Sequence, residues 1–426
     1  MIISPAFRGR RYAVLGLARS GLASVEALVA SGAEVTAWDK SVEAREKAVG
    51  MFPGESRGPG SAAGLGPGLR RGTLSIADLL EIDLSGYDGI VVSPGVPLNR
   101  HPIAGRARAA GVPLIGDIEL FAQARATLPS HKVVGITGTN GKSTTTALVH
   151  HILESAGVAA AMGGNIGLPI LAQDPLPEGG VYVLELSSYQ LDLTRSLDCD
   201  IAILLNVTPD HLDRYESFEA YRASKLRLFE MQSPGRAAIV GDEIAIDQAG
   251  WPALQGPHNA QNARAAIAAC EALGLAAGDI ARGLATYPGL PHRMERVREK
   301  DGILFVNDSK ATNPDSTAPA LAAFPYIHWI VGGLAKTKGL GPCESQLGHV
   351  RAAYTIGEAG PMFARLLAGR VKVTEAELLV TAVNEAAGAA APGEVVLLSP
   401  ACASFDQFRD YEARGDAFRA AVEALA

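Results

Sequence analysis

The chain has 426 residues, 19% of them charged and 48% hydrophobic, and its formal net charge is −7. That length suits roughly 2.8 domains at ~150 residues each and is enough to bury ordinary cores without staples. The acidic balance offers no basic face to nucleic acid or to a membrane surface, and no run stays apolar for the ~18 residues that a membrane span needs. The cysteines Cys199, Cys270, Cys343 and Cys402 are scattered without a C-x-x-C pair. This pattern, with an N-terminus lacking a signal peptide's cleavage site, fits a reduced, cytoplasmic protein rather than a disulfide scaffold or a zinc site.

The first segment opens with a strand from Tyr12 to Leu15, turns at Gly16 and Gly21, and continues as a helix to about Ser31. A second strand, Glu34 to Trp38, ends in Asp39. This is the order of a nucleotide-binding Rossmann half, with Gly16, Leu17 and Asp39 at the carboxyl ends of its strands. It departs from G-x-G-x-x-G at Ala18, which argues against a dinucleotide site. Residues 53–72 are rich in Gly, Pro, Ser and Arg and read as a mobile surface loop. The strand Gly89 to Val92 then runs into Ser93-Pro94-Gly95, a rigid turn where open α/β sheets bind ligands.

The second segment begins near residue 122. Its β-branched run Val133, Val134 and Ile136 leads into Gly138, Thr139, Asn140, Gly141, Lys142, Ser143 and Thr144, and then into a helix-compatible stretch through Ala156. Strand, glycine turn, lysine, hydroxyl and helix N-terminus together make a triphosphate cradle. Backbone N–H groups and the helix dipole face the phosphates, Lys142 adds a point charge, and the Ser143 hydroxyl reaches Mg²⁺. The register is not the standard G-x-x-x-x-G-K-[ST], because Ile136 stands where its first glycine belongs. A later strand, Val181 to Leu186, places Glu185 at its carboxyl end as a candidate Mg²⁺ ligand. The strand Ile201 to Leu205 is followed by Thr208-Pro209-Asp210-His211, so His211 also stands past a strand terminus among carboxylates. Gly163-Gly164-Asn165-Ile166-Gly167 reads either as a ligand-approach loop or as a simple turn. Lys225 reads as a helix-surface lysine, and its spacing singles out nothing.

The third segment starts near Arg293. Its strands, Ile303 to Val306, His328 to Val331, Ala353 to Ile356 and Val395 to Leu398, alternate with helical stretches. Three polar loops follow three of them: Asn307 to Pro314, Gly332 to Lys336 and Ser399 to Ser404. Their placement at strand carboxyl ends points to a shared site. Strand–helix alternation throughout predicts an α/β chain of three domains with mostly parallel sheets. The N-terminal and C-terminal domains are expected to be Rossmann-like and the central one P-loop-like. The expected boundaries are 1–121, 122–292 and 293–426.

With these residues in hand, the chain resembles the Mur ligase family. The likeness rests on T-G-T-N-G-K-S-T at 137–144, G-G-N-I-G at 163–167, L-E-L-S-S-Y-Q-L at 184–191 and T-P-D-H-L-D-R-Y at 208–215. It continues through H-N-A-Q-N at 258–262, P-H-R at 291–293, N-D-S-K-A-T-N at 307–313 and S-P-A-C-A-S-F-D-Q-F at 399–408. The S-S-Y-Q-L and S-P-A-C-A-S-F-D-Q-F strings are similar to the D-glutamate-adding branch.

The resemblance implies ATP-dependent addition of D-glutamate to UDP-N-acetylmuramoyl-L-alanine through an acyl phosphate, by a cytoplasmic monomer that engages only small molecules. It implies ATP and two Mg²⁺ ions, held by Lys142, Ser143, Glu185, His211 and a carbamylated Lys225, with Lys142, His211 and Lys225 as the catalytic set. Asn259 and Asn262 would meet adenine, and Arg293, Asp308 and Lys310 the nucleotide. Gly16, Leu17, Asp39, Ser93, Asn165, Ser187, Gln190 and His211 would meet the UDP-sugar. Thr312, Lys336, Ser404 and Tyr411 would bind the incoming glutamate. The chain departs from the family pattern at Ala18, at Lys40-Ser41 and at Leu334. The alternatives are a related ligase with another amino acid, such as L-glutamate, and an NAD-dependent oxidoreductase built on the first segment.

Overall fold

The computed structural model describes residues 1–52, 72–210, 214–242 and 245–425. The expected loop at 53–72 therefore lies, apart from Gly72, outside the described residues, and so does His211. The chain forms two compact units, Met1–Gly241 with Ala265–Gly283, and Asp242–Arg264 with Leu284–Ala426. Among the described residues no helix is long and apolar enough to cross a membrane.

The first unit holds two five-stranded sheets. One comprises β1 (Arg11–Leu15), β2 (Glu34–Trp38), β3 (Thr73–Ile76), β4 (Gly89–Val92) and β5 (Leu114–Ile115), in the order β3-β2-β1-β4-β5 with every pair parallel. Its helix Arg19–Ala30 presents Leu22, Val25, Leu28 and Val29 at helical spacing, and all four are buried. Gly21 is required there, because a Cβ would stand 1.8 Å from the Gly16 carbonyl oxygen. The other sheet comprises β6 (His131–Thr137), β7 (Ala160–Gly164), β8 (Gly180–Glu185), β9 (Ile201–Leu204) and β10 (Ala237–Val240). Its order is β10-β9-β6-β8-β7, again all parallel. In each sheet the chain reverses its direction of winding beside the first strand, β1 or β6. Crevices at such switch points bind ligands.

The second unit holds a six-stranded sheet of β11 (Glu295–Lys300), β12 (Ile303–Asn307), β13 (Ile327–Gly332), β14 (Val350–Ile356), β15 (Lys372–Glu377) and β16 (Val395–Leu398). Its order is β11-β12-β16-β13-β14-β15, parallel except for β11. Both faces of β13 are buried, as helices on either side of a parallel sheet require. Trp329 and Val331 pack with Phe363 and Leu397 on one face, and Ile330 packs with Val396 and Phe418 on the other. Trp329 also donates its indole N–H to the Ser399 carbonyl at 2.7 Å. Truncating it to Ala would cost about 3–5 kcal/mol as a core aromatic deletion. The α/β class with mostly parallel sheets is as the sequence predicts.

Candidate active site

The phosphate loop follows β6, the central strand of its sheet. Gly141 ends the loop at φ +84°, and the helix Lys142–Ser155 starts with no side-chain cap among the described residues. Its N-terminal dipole and amides therefore face the loop, an arrangement suited to anions. Four neighbours, Leu186, Asn206, Tyr221 and Thr208, hold the loop in shape. Thr137 Oγ1 donates to the Leu186 carbonyl at 2.8 Å, and Asn140 donates its backbone N–H to Asn206 Oδ1 at 2.9 Å. Thr139 Oγ1 lies 3.1 Å from the Tyr221 hydroxyl and accepts the Thr208 N–H at 3.0 Å. Lys142 curls over this frame, donating to the carbonyls of Gly138 at 2.9 Å and Thr139 at 2.8 Å.

Lys225 is not a surface lysine. It sits on the helix Phe218–Glu230 with 2% of its surface exposed, and its Nζ donates to the Gly138 carbonyl at 2.8 Å. The Tyr221 ring lies 4.6 Å from that ammonium. Burial, reinforced by the Lys142 charge, lowers its pKa to about 7.

Glu185 ends β8, the strand paired with β6. Its Oε1 accepts the Asn165 amide at 2.8 Å, whereas Oε2 is buried without a hydrogen-bond partner among the described residues. Asn165 also donates its backbone N–H to the Glu185 carbonyl at 2.9 Å. Gly164 makes that approach possible, since a Cβ there would stand 2.2 Å from the same oxygen. A buried carboxylate oxygen with no partner is costly unless a cation meets it. With the Ser143 hydroxyl, 5% exposed, it suits a hard divalent ion. Ser187 and Gln190 form a capping box on the short helix Ser188–Asp192, so much of their polarity is used locally.

The first sheet gathers its expected residues at its own switch point. Leu17 donates its N–H to Asp39 Oδ2 at 2.7 Å, and Ser93 donates its hydroxyl to the Gly16 carbonyl at 2.7 Å. In the second unit, the order β12-β16-β13 brings the three polar loops side by side. Asp308 accepts the Ser399 hydroxyl at 2.8 Å, and Lys336 Nζ lies 3.5 Å from Thr312 Oγ1. Leu334 bridges to Ala403, beside Ser404. The Lys310 ammonium stands 3.7 Å over the Tyr411 ring. Burial pushes the Asp308 carboxyl up to about 7, against the hydrogen bonds of Ser399 and Met294 and the charges of Arg293 and Arg414. In the same unit Asn262 donates to Asn259 Oδ1 at 3.0 Å, and Asn259 to the Gln255 carbonyl at 3.1 Å.

Residues 136–250 match the family model of the Mur ligase middle domain, and residues 292–402 match that of the Mur ligase glutamate ligase domain. A UDP-N-acetylmuramoylalanine–D-glutamate ligase of Novosphingobium aromaticivorans is 59% identical, covering 100% of this chain and 97% of the relative. Its counterpart in Zymomonas mobilis is 55% identical, with both chains covered at 100%. This chain belongs to the Mur ligase family. It is accordingly an ATP-dependent, amide-bond-forming ligase. Among solved structures, UDP-N-acetylmuramate-alanine ligase MurC of Thermotoga maritima aligns at a TM-score of 0.56 and 16% identity, over 97% of this chain and 99% of that one. MurF of the same organism, in complex with ADP, aligns at 0.55 and 16% identity, over 98% and 96%. At such identities these two likenesses speak for the fold.

Within this Mur ligase, sequence reasoning passed over three supporting side chains. Asn206 clasps Asn140 from both sides, Tyr221 underlies both Thr139 and Lys225, and Arg414 is buried with 1% exposure. The Arg414 guanidinium donates to Ser309 and to the carbonyls of Cys402 and Ala403, tying two of the polar loops together. The Tyr221–Lys225 spacing of four residues on one helix face was the available signal. Nothing in the sequence separates Arg414 from a solvated helix arginine.

Proposed function

We propose that this chain joins D-glutamate to UDP-N-acetylmuramoyl-L-alanine with ATP, in cytoplasmic peptidoglycan precursor synthesis. The observation that carries the reading is the convergence of Lys142 and Lys225 on one loop carbonyl, just past the strand paired with the one that ends in Glu185. The names of the close relatives support the choice of acceptor and amino acid. Buried, unpaired cysteines support a reduced compartment.

The alanyl carboxylate attacks the γ-phosphorus of ATP, forming an acyl phosphate as ADP leaves. The neutral glutamate amine then attacks the activated carbonyl, and the tetrahedral intermediate gives up an N–H proton to solvent and expels phosphate. Lys142 and the helix N-terminus offset the charge that a carboxylate meets on approaching a triphosphate. Two Mg²⁺ ions, when bound, neutralise the phosphates. Ser143, Glu185, His211 and Lys225 are assigned to them, with Gly138 to Thr144 cradling the phosphates. Lys225 serves as its carbamate, because an ammonium repels a dication whereas a carbamate offers the anionic oxygens that Mg²⁺ prefers. A buried amine with a pKa near 7 supplies the neutral form that attacks CO₂ with release of a proton.

Asn259 and Asn262 are assigned to adenine, and Arg293, Asp308 and Lys310 to the nucleotide. Gly16, Leu17, Asp39, Ser93, Asn165, Ser187, Gln190 and His211 are assigned to the UDP-sugar, and Thr312, Lys336, Ser404 and Tyr411 to glutamate. This division of labour gives a UDP-sugar domain over 1–121, an ATP domain over 122–292 and a glutamate domain over 293–426 of a monomer.

The test is ATP-dependent phosphate release measured across pairs of acceptors and amino acids, D- and L-glutamate included. Release confined to UDP-N-acetylmuramoyl-L-alanine with D-glutamate is expected. Equal release with L-glutamate or another acceptor would reassign the substrates.

A further inference from the structure

One segment of the first unit joins the two sheets through side chains to which the proposed chemistry gives no role. Arg214 donates from Nη2 to the carbonyl of Val96 at 3.1 Å, in the turn that follows β4 and begins with Ser93. Its guanidinium lies 4.2 Å over the Tyr189 ring. Tyr189 in turn stacks on Tyr215, with ring planes 10° apart and centroids at 6.1 Å. The Tyr215 hydroxyl donates to Asp192 at 2.7 Å, and its ring touches that of Tyr221 at 5.4 Å. Tyr221 reaches Thr139 of the phosphate loop. Val96, Tyr189, Asp192, Arg214 and Tyr215 wall a cleft of about 300 Å³ beside Ser93 and Pro94. A chain of contacts, stacked from Arg214 to Tyr215 and tilted at Tyr221, therefore runs from the turn of the first sheet to the loop of the second.

We propose that Arg214 is a positioning residue for the acceptor: it fixes the Ser93–Val96 turn against the Tyr189–Tyr215 stack, so that the UDP-sugar meets a preformed surface. The guanidinium suits this task because it is planar, stays charged, and can stack and donate at once, which a lysine ammonium cannot. The phosphate loop has its own supports in Asn206 and Thr208, so nucleotide affinity does not depend on Arg214.

The inference rests on the reading that this turn receives the UDP-sugar. Wild-type phosphate release that depends on UDP-N-acetylmuramoyl-L-alanine tests that reading separately. In the full-length protein, Arg214→Ala should raise the KM for this acceptor roughly tenfold, the loss of one hydrogen bond and one cation–π contact. The Kd of a fluorescent ATP analogue, measured without acceptor, should stay within about twofold of wild type on the same argument. Arg214→Lys keeps a donor without the stack and should recover only part of the loss, and it alone carries the test if the alanine variant does not fold. An unchanged acceptor KM, or acceptor KM and nucleotide Kd rising together, overturns the proposal.

Discussion

Lys142 and Lys225 donate to the same oxygen, the carbonyl of Gly138, at 2.9 and 2.8 Å. Burial, and after it the repulsion between two ammonium groups on one acceptor, lowers the Lys225 pKa to about 7. On the proposed reading, Lys142 is the cation that meets phosphate and Lys225 the amine that is modified. Lys142→Ala should abolish phosphate release, a loss of at least ~10²–10³ for a preorganised electrostatic contact. Its circular dichroism and thermal midpoint should stay near wild type, since Lys142 is only partly buried. Near-normal turnover in that variant would sink the assignment.

The modification of Lys225 has its own readout. The neutral amine is the reactive form and prevails above pH 7, so carbamylation should be lost by dialysis at pH 6 without CO₂ and regained at pH 8 with bicarbonate. With ¹³C-labelled bicarbonate, a carbamate carbon signal should appear in the wild type and be missing from Lys225→Arg. A labelled Lys225→Arg protein, or full activity in it, would remove the carbamate from the site.

Glu185 separates charge from packing. Glu185→Gln keeps the shape and the Asn165 contact but withdraws the unpartnered anionic oxygen. The Mg²⁺ concentration for half-maximal phosphate release should rise about 10–100-fold, the usual cost of disturbing a metal's surroundings. The thermal midpoint should hold or rise, because an uncompensated buried charge has gone. A lowered midpoint with an unchanged Mg²⁺ requirement would make Glu185 purely structural.

Asp308 links the second unit's stability to pH. Its folded pKa of about 7 stands above the ~3.9 of an unfolded aspartate, so the folded state binds the extra proton between these values. The contribution is fully present below pH ~3.9 and is lost as pH rises through about 7, where a buried carboxylate must ionise. Thermal midpoints of the wild type and Asp308→Asn, followed from pH 5 to pH 8, should diverge in favour of Asn and then level off. Parallel curves would show that the carboxyl is ionised throughout.

The parts that could be read in advance were those whose partners are neighbours in sequence. Gly138, Gly141, Lys142 and Ser143 lie close together in sequence, so the turn from strand to helix was legible, and so were the loops after β12, β13 and β16 once parallel pairing was assumed. Lys225 was opaque bottom-up, because its partner Gly138 lies 87 residues away and its burial is a tertiary fact. Resemblance rather than spacing singled it out. Edge strands were missed for a different reason. β11 reads Glu-Arg-Val-Arg-Glu-Lys and β15 Lys-Val-Thr-Glu-Ala-Glu, charged sequences of the kind that protect a sheet edge from further pairing. β7 hides in Ala-Ala-Met-Gly-Gly, where low strand propensity is overridden by pairing along β8.

Ala401 offers a test of strain beside the proposed glutamate site. It holds φ +55° while its N–H reaches Thr317 Oγ1 at 3.1 Å, and it is 2% exposed. A left-handed alanine costs about 1–2 kcal/mol, and a glycine there costs ~0.4–1 kcal/mol in unfolded-state entropy. Ala401→Gly should therefore come out within about 0.5 kcal/mol of wild type, because the relieved strain is offset by chain entropy and by the ~0.8 kcal/mol of the lost buried methyl. The KM for glutamate should not move, because the bond to Thr317 remains. Ala401→Val places a branched side chain at the same φ within a packed cluster and should lose about 2 kcal/mol or more. Chemical denaturation of the three proteins should place Gly close to Ala and Val well below both. A glycine variant less stable than wild type by more than about 1.5 kcal/mol, beyond the entropy and methyl losses together, would show that the turn is held without strain.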